Sequence, residues 1–480
     1  MLENLYPNEV FKYFEEISNI PRGTYNEKAI SDYLVAFAKE RNLEVYQDDL
    51  YNVIIFKEAS TGYEDREPII LQGHMDMVCE QDSDVNKDMA TEPIELEIVD
   101  GFVTAKGTTL GGDDGVFVAY ALAVLDSDSV KHPRLEVVFT ASEEDGMDGA
   151  SGIDLSMLQG RRLLNIDNEE EGLITVGCAG GCRLNITLPV LRKMCNYDLL
   201  EINISGLLGG HSGCDINKGR LSAYTALDRL IRKLANGVDV RLVEFKTGNK
   251  INVISNSARL LIAVSDVKKC NELLDEFIKE IDTEYAGIEK DINIECATVQ
   301  ENGDSKLTPL TKESTDNVIS LLSSVHQGIY RMSSDMEGAV DTSINCGVCT
   351  LSEKELSMNV LVRSQVDSSA DDLIDRVRWV ANGQGAKCEI LDRYPAWQYV
   401  RTSPLRDKMV DIYGEMFGVE AKVEITHAGL ECGFIAEKIK GIDAVAFGPD
   451  VKDIHTTKER LDIESAGRMW DYLIRILEEA

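Results

Sequence analysis

Four short apolar runs end in or lead to histidines and acids, and this arrangement constrains the fold more than any other feature of the chain. Ile69-Ile70-Leu71-Gln72-Gly73 ends in His74-Met75-Asp76. Val137-Val138-Phe139-Thr140-Ala141 runs into Ser142-Glu143-Glu144. Leu163-Leu164-Asn165-Ile166 ends in Asp167, and Val445-Ala446-Phe447-Gly448-Pro449 feeds a loop carrying His455. Apolar runs of this kind, alternating with helical segments, predict an α/β sheet with helices packed on it. Ligand groups in open α/β sheets gather at the carboxyl ends of strands, so these four ends are expected to share one crevice. A fifth group, Asp113, lies in Thr108-Thr109-Leu110-Gly111-Gly112-Asp113-Asp114-Gly115, ahead of the apolar helix 115–125. Helix capping explains one aspartate there, but not two beside three glycines.

The residue types suit a zinc-like ion. Imidazole and carboxylate are its usual ligands where water must keep an open position. Three carboxylates and two histidines exceed what one catalytic ion needs, and they suit two ions sharing a carboxylate and a water. A free carboxylate beside the ligands is then needed to take and return a proton. The adjacent glutamates 143 and 144 allow one to bind metal while the other acts as base.

A chain of 480 residues is long enough for two or three domains. Helices are expected over 8–18 and 27–41, and strands over 53–56, 68–71, 135–140 and 162–166. The pattern changes near residue 187. Strand 200–204, helix 219–235, strands 240–245 and 251–264, helix 267–285 and strand 291–298 follow the β-α-β-β-α-β order of ferredoxin-like folds. A less complete second version follows: helix 311–324, strands 345–351 and 356–366, helix 369–381 and strand 386–391. The α/β rhythm then resumes with helix 403–416, strands 422–426 and 444–447, and helix 459–478. The expected architecture is one discontinuous α/β domain, residues 1–186 and 397–480, interrupted by an α+β insertion over 187–396.

Composition removes other classes. A formal net charge of -35 would repel a phosphate backbone, which argues against nucleic acid. No apolar run is long enough for a membrane span, and the N-terminus lacks the pattern of an export signal. The 11 cysteines are expected to be reduced thiols in a cytoplasm. Cys178 and Cys182, and Cys346 and Cys349, lie beside apolar strand-like runs and read as buried structural thiols.

The motifs Gln72-Gly73-His74-Met75-Asp76-Met77-Val78, Gly107–Gly115, Ser142-Glu143-Glu144, Asn165-Ile166-Asp167 and Gly209-Gly210-His211-Ser212-Gly213 resemble the di-zinc aminoacylase, carboxypeptidase and dipeptidase superfamily. Within it, the chain resembles the aminoacyl-histidine dipeptidases (peptidase D), and the resemblance covers essentially its whole length. It implies a di-zinc exopeptidase-like catalytic domain with an enlarged ferredoxin-like α+β lid, which also mediates homodimerisation. It implies hydrolysis of dipeptides, preferably Xaa-His including β-alanyl-histidine, by a water bridging two ions. Carried over residue by residue, His74 binds one ion and His455 the other, Asp113 bridges them, and Glu144 and Asp167 each complete one shell. Glu143 is the general base and acid, and Asp76 orients the His74 ring. His211 stabilises the oxyanion, from its own chain or a partner's. Asn252 and Arg363 bind the substrate's free carboxylate, and closure of the lid implies hinges near 187 and 397.

The stretch Thr426-His427-Ala428-Gly429-Leu430-Glu431-Cys432-Gly433 departs from the subgroup's histidine-glycine-glycine-leucine at Ala428. It puts His427 and Glu431 near the substrate. His132 and His326, the latter read within a helix, are expected to be structural. Zinc fits the donor set, and manganese or cobalt would also be accepted. A related aminoacylase or tripeptidase would share every metal residue, whereas an inactive binding or scaffold homologue predicts the loss of a ligand or base, and none is missing.

Overall fold

The computed structural model describes residues 1–299 and 308–479. Residues 300–307, within the inserted domain expected over 187–396, and residue 480 lie outside that description. The chain divides into two compact units. One comprises Met1–Gly177, Tyr399–Ile425 and Leu430–Ala480, and the other Cys178–Gln398 and Thr426–Gly429.

Strands Leu135–Thr140 and Ile69–His74 are buried at every residue. An element with no solvated face belongs in the middle of a covered sheet, and both lie centrally in the first unit. The 8-stranded sheet runs Glu44–Gln47, Val53–Lys57, Leu135–Thr140, Ile69–His74, Arg162–Asn165, Asp443–Ala446, Leu173–Cys178, Lys422–Thr426. Ile69–His74 is parallel to Leu135–Thr140 and to Arg162–Asn165, and Asp443–Ala446 is parallel to Arg162–Asn165. The four apolar runs are therefore four adjacent parallel strands whose carboxyl ends fall on one edge of the sheet.

Helix Gly112–Asp126 is buried from Asp114 through Leu125 and packs on strand Ile69–His74 and helix Asn8–Ser18. Its apolar residues occupy every face, as in a helix covered on all sides. The approach to the strand is close at Gly73, where a Cβ would meet Asp114 and lie 2.5 Å from Phe117 Cδ1. Only glycine leaves that room beside His74.

The C-terminal helix begins at Ile463 rather than 459, because Arg460–Asp462 instead pairs with Phe102–Thr104. That pairing belongs to a 4-stranded sheet, ordered Val451–Lys452, Arg460–Asp462, Phe102–Ala105, Leu96–Val99. Strands this short carry no readable alternation.

The second unit is built on an antiparallel 9-stranded sheet. Part of its order is Asn293–Thr298, Asp198–Ser205, Ala258–Val264, Val240–Thr247. In chain order this is fourth, first, third, second, the pairing of a ferredoxin-like fold. Helices Ala223–Gly237, Val267–Tyr285, Lys312–Ser324 and Asp367–Gly383 contribute their apolar stripes to a shared core with this sheet. Strand Gly180–Pro189 pairs with Glu355–Ser364 along its whole length, so a boundary at 187 would cut through a continuous strand. The expected strand 251–264 is divided into Val253–Ile254 and Ala258–Val264. Cys178, Cys182, Cys346 and Cys349 are buried. Buried His132 lies 2.8 Å from Pro133 O through Nδ1, while His326 sits exposed past the helix that ends at Ser324.

Candidate metal centre

His74 ends its strand fully inside the protein, with 1% of its side chain exposed. Its Nε2 lies 3.0 Å from Asp113 Oδ1 and 3.6 Å from Asp167 Oδ1. His455 Nε2 lies 3.3 Å from Asp113 Oδ2 and 2.8 Å from Glu144 Oε2. Asp113 thus turns one oxygen to each histidine, and each histidine has a second carboxylate of its own. Among the described residues, two groups are compact enough to hold an ion: His74, Asp113 and Glu144, and His74, Asp114 and Asp167, with ligand atoms all within 4.8 Å of one another. Asp114, which joins the second group, was not singled out in the sequence as a ligand.

Local structure explains these placements. Asp113 and Asp114 both depart from helical φ/ψ at the start of their helix. Ser142 adopts a left-handed φ of 54° just past strand Leu135–Thr140. Glu27 Oε1 accepts hydrogen bonds from Ser142 N at 3.0 Å and Ser142 Oγ at 2.8 Å, holding that turn. Asp76, fully buried, accepts from Glu143 N at 3.0 Å, Glu144 N at 3.3 Å and Thr24 Oγ1 at 3.0 Å. Its Oδ1 lies 3.3 Å from His74 Nδ1, within ion-pair range but off-line for a hydrogen bond.

The electrostatics call for positive charge. Burial alone would lower the basicity of His74, yet Asp113, Asp167 and Asp76 push its pKa well above 6.5. Asp113 and Glu144 raise His455 to about 10. Burial lifts Asp167 to about 6 and pushes Glu143 well above the carboxylate range, with His74 opposing in both cases. The carboxylates around them thus hold both histidines more basic than usual, the mark of a cluster with surplus negative charge. Buried acceptors also lack any hydrogen-bond partner, namely Glu144 Oε1 and Asp114 Oδ2. Carboxylate oxygens with unsatisfied lone pairs, grouped around the buried His74 imidazole and reached by the more exposed His455, fit divalent cations.

Glu431 is 0% exposed. It accepts from Gln72 Nε2 and Thr140 Oγ1, both at 2.6 Å. Its Oε2 thereby ties together strands Ile69–His74 and Leu135–Thr140, while its Oε1 has no hydrogen-bond partner.

The other four singled-out residues belong to the second unit. His211 lies in the two-residue strand Gly210–His211, opposite Val253, and Ser212 N donates to Asn252 O at 2.9 Å. The Asn252 residue is exposed. Arg363 is buried, donates from Nη1 to Tyr394 Oη at 2.9 Å, and leaves Nε without a partner. His427 is buried with Nε2 2.7 Å from Ser343 Oγ and Nδ1 unpartnered. Burial, then the Arg363 charge, lowers the His427 pKa to about 3.

Parallel strands whose ends bring carboxylates around His74 in two ion-sized groups, with His455 against Asp113 and Glu144, define a metallohydrolase framework. Residues 70–479 match the family described as peptidase family M20/M25/M40. The chain belongs to that family and is a peptide-bond hydrolase. It is 35% identical over 482 residues to the cytosol non-specific dipeptidase of Escherichia coli (strain K12), covering 100% of this chain and 99% of that protein. The crystal structure of aminoacylhistidine dipeptidase from Vibrio alginolyticus superposes with a TM-score of 0.92 at 34% identity, covering 100% of this chain and 98% of that one. Aminopeptidase PepT from Bacillus cereus ATCC 10987 shares the fold at a TM-score of 0.57 and 16% identity, with 99% of each chain covered.

Proposed function

We propose that the chain is a metal-dependent dipeptidase that holds two divalent ions and prefers Xaa-His substrates, β-alanyl-histidine among them. One observation carries the two-ion reading: the Asp113 carboxylate faces His74 with one oxygen and His455 with the other. His74 and Asp167 would hold one ion, His455 and Glu144 the second, and Asp113 both. Bound there, divalent ions supply a water acidic enough to lose a proton near neutral pH and a positive field for the peptide carbonyl. Zinc suits these donors best, with manganese and cobalt as the alternatives.

The chain's own residues do the rest. Glu143 takes the proton of the attacking water and returns it to the leaving amine. Asp76 keeps the Glu143 backbone and the His74 ring in register. His211 donates to the developing oxyanion. Arg363, with an unpartnered buried Nε, and Asn252 receive the dipeptide's free carboxylate. His427, kept neutral by burial, presents Nδ1 as a further polar contact for substrate. We assign the second unit the roles of lid and homodimer surface. The name of the Escherichia coli relative supports a cytosolic location and a broad dipeptide range, and that of the Vibrio alginolyticus structure supports the histidine preference.

The test is a panel of β-alanyl-histidine, other Xaa-His and Xaa-Leu dipeptides, a tripeptide and an N-acyl amino acid. It is run before chelation, after chelation with metal loss verified by elemental analysis, and after zinc or manganese is restored. Chelator-sensitive cleavage strongest on Xaa-His dipeptides is the expected result. Equal rates on Xaa-Leu would remove the histidine preference. Cleavage of only the tripeptide or acyl amino acid would remove the dipeptidase assignment, and full activity in verified metal-free protein would overturn the metal-dependent reading.

A further inference from the structure

A second buried carboxylate grips the Asp113 loop entirely through its backbone. Glu459 is 3% exposed. Its Oε2 accepts the N–H groups of Leu110 at 2.8 Å and Gly111 at 2.9 Å, and its Oε1 those of Gly112 at 2.7 Å and Asp113 at 3.2 Å. Consecutive amides converging on one carboxylate form charge-assisted bonds, stronger and shorter than neutral ones. Arg22, 2% exposed, holds the same loop by a carbonyl. Its Nη2 donates to Gly111 O, while Nη1 donates to Met75 O at 3.1 Å and Asp76 O at 3.0 Å. One guanidinium thus ties the loop before Asp113 to the residues that follow His74. Gly111 has φ 69°, and a Cβ there would lie 2.6 Å from Arg22 Nη2, so the bare backbone is what admits the guanidinium. Glu459 also closes the turn after His455, its N–H donating to Thr456 O at 3.1 Å.

We propose that Glu459 and Arg22 are positioning residues for the metal centre. Together they lock Leu110–Asp113 against the His74–Asp76 segment before any ion binds, so the Asp113 carboxylate is already set between the two histidines. The inference rests on the two-ion reading above for its consequence, but the preorganisation belongs to the protein alone.

The test begins on metal-free wild type, by amide hydrogen exchange. Protection of Leu110–Asp113 comparable to that of strand Ile69–His74 is expected, and rapid exchange of these amides overturns the proposal whatever any variant does. Glu459→Gln then replaces one accepting oxygen with an NH2 that faces N–H donors. In the folded variant those amides should exchange faster, and the second equivalent of Co2+ should bind about 10- to 100-fold more weakly. The visible cobalt spectrum should change, and kcat should fall with KM little altered. Arg22→Lys, which keeps charge but loses the fork, should act in the same direction if Glu459→Gln does not fold. A lower melting temperature with unchanged exchange, Co2+ affinity and spectrum would make the pair merely structural and overturn the proposal. Wild type that binds only one ion per chain would instead defeat the two-ion reading, and the exchange result would still decide the lock.

Discussion

A buried carboxylate that accepts a backbone N–H can fix a neighbouring residue without touching substrate, and Asp76 accepts from Glu143 N in this way. Glu143 itself should carry proton transfer. Glu143→Gln is expected to lower kcat by about 10²- to 10⁴-fold while calorimetry still records dipeptide binding and elemental analysis the same metal content; near-normal turnover would remove it as the base. His427 makes a separate prediction about pH. Its folded pKa, about 3, lies below the ordinary 6.5. Below pH 6.5 the unfolded chain takes up a proton that the folded one refuses, so this stabilisation is complete above 6.5 and lost as pH falls toward 3. In metal-free protein, His427→Gln should therefore flatten the decline of the urea midpoint between about pH 4 and 6.5. An unchanged slope would mean that His427 is not held neutral. His74, Asp113, Glu144, Asp167 and His455 could be picked out because each sits at or just beyond an apolar run, or in a glycine loop before one. Arg22, Glu27 and Glu459 could not, since their partners are mostly backbone groups of distant loops and nothing periodic announces them.

At the scale of elements, the parallel strands were legible because each is apolar at nearly every position and bounded by turn residues. The short strands of the 4-stranded sheet were not, because Arg460–Asp462 has too few residues for any pattern and takes its structure from Phe102–Thr104. Helix starts were legible to within a few residues where a cap is present. Asp266 caps Val267–Tyr285, with Oδ1 accepting from Lys269 N at 3.0 Å. Asp266→Ala should lower the stability of the second unit by about 1 kcal/mol in chemical denaturation, with dipeptide turnover at 25 °C unchanged. A loss of turnover without loss of stability would mean that this helix does more than support its sheet.

For the whole molecule, the division of labour between the units is testable without any variant. The candidate ligands His74, Asp113, Glu144, Asp167 and His455 belong to the first unit, and the second has its own core of sheet and helices. Ligand binding raises the free energy of every opening that disrupts its site and leaves openings that spare the site unchanged. Chelation should therefore raise hydrogen exchange around 140–145 and 453–457, while strands Asp198–Ser205 and Ala258–Val264 keep their protection. Equal loosening of both units would show that the ions stabilise more than their own sheet.

Strand Asp443–Ala446 lies between Arg162–Asn165 and Leu173–Cys178, and this order matters while the chain is being made. Nearly all of the second unit, Cys178–Gln398, is one continuous stretch that can fold as it leaves the ribosome. The central sheet of the first unit must meanwhile wait with a gap, because the strand that fills it is synthesised only after that stretch. His455 comes later still. A nascent chain would thus carry His74, Asp113, Glu144 and Asp167 through the whole synthesis of that stretch without the residue that pairs with Glu144. The five candidate ligands could come together only after residue 455 had been added, long after the first four were made.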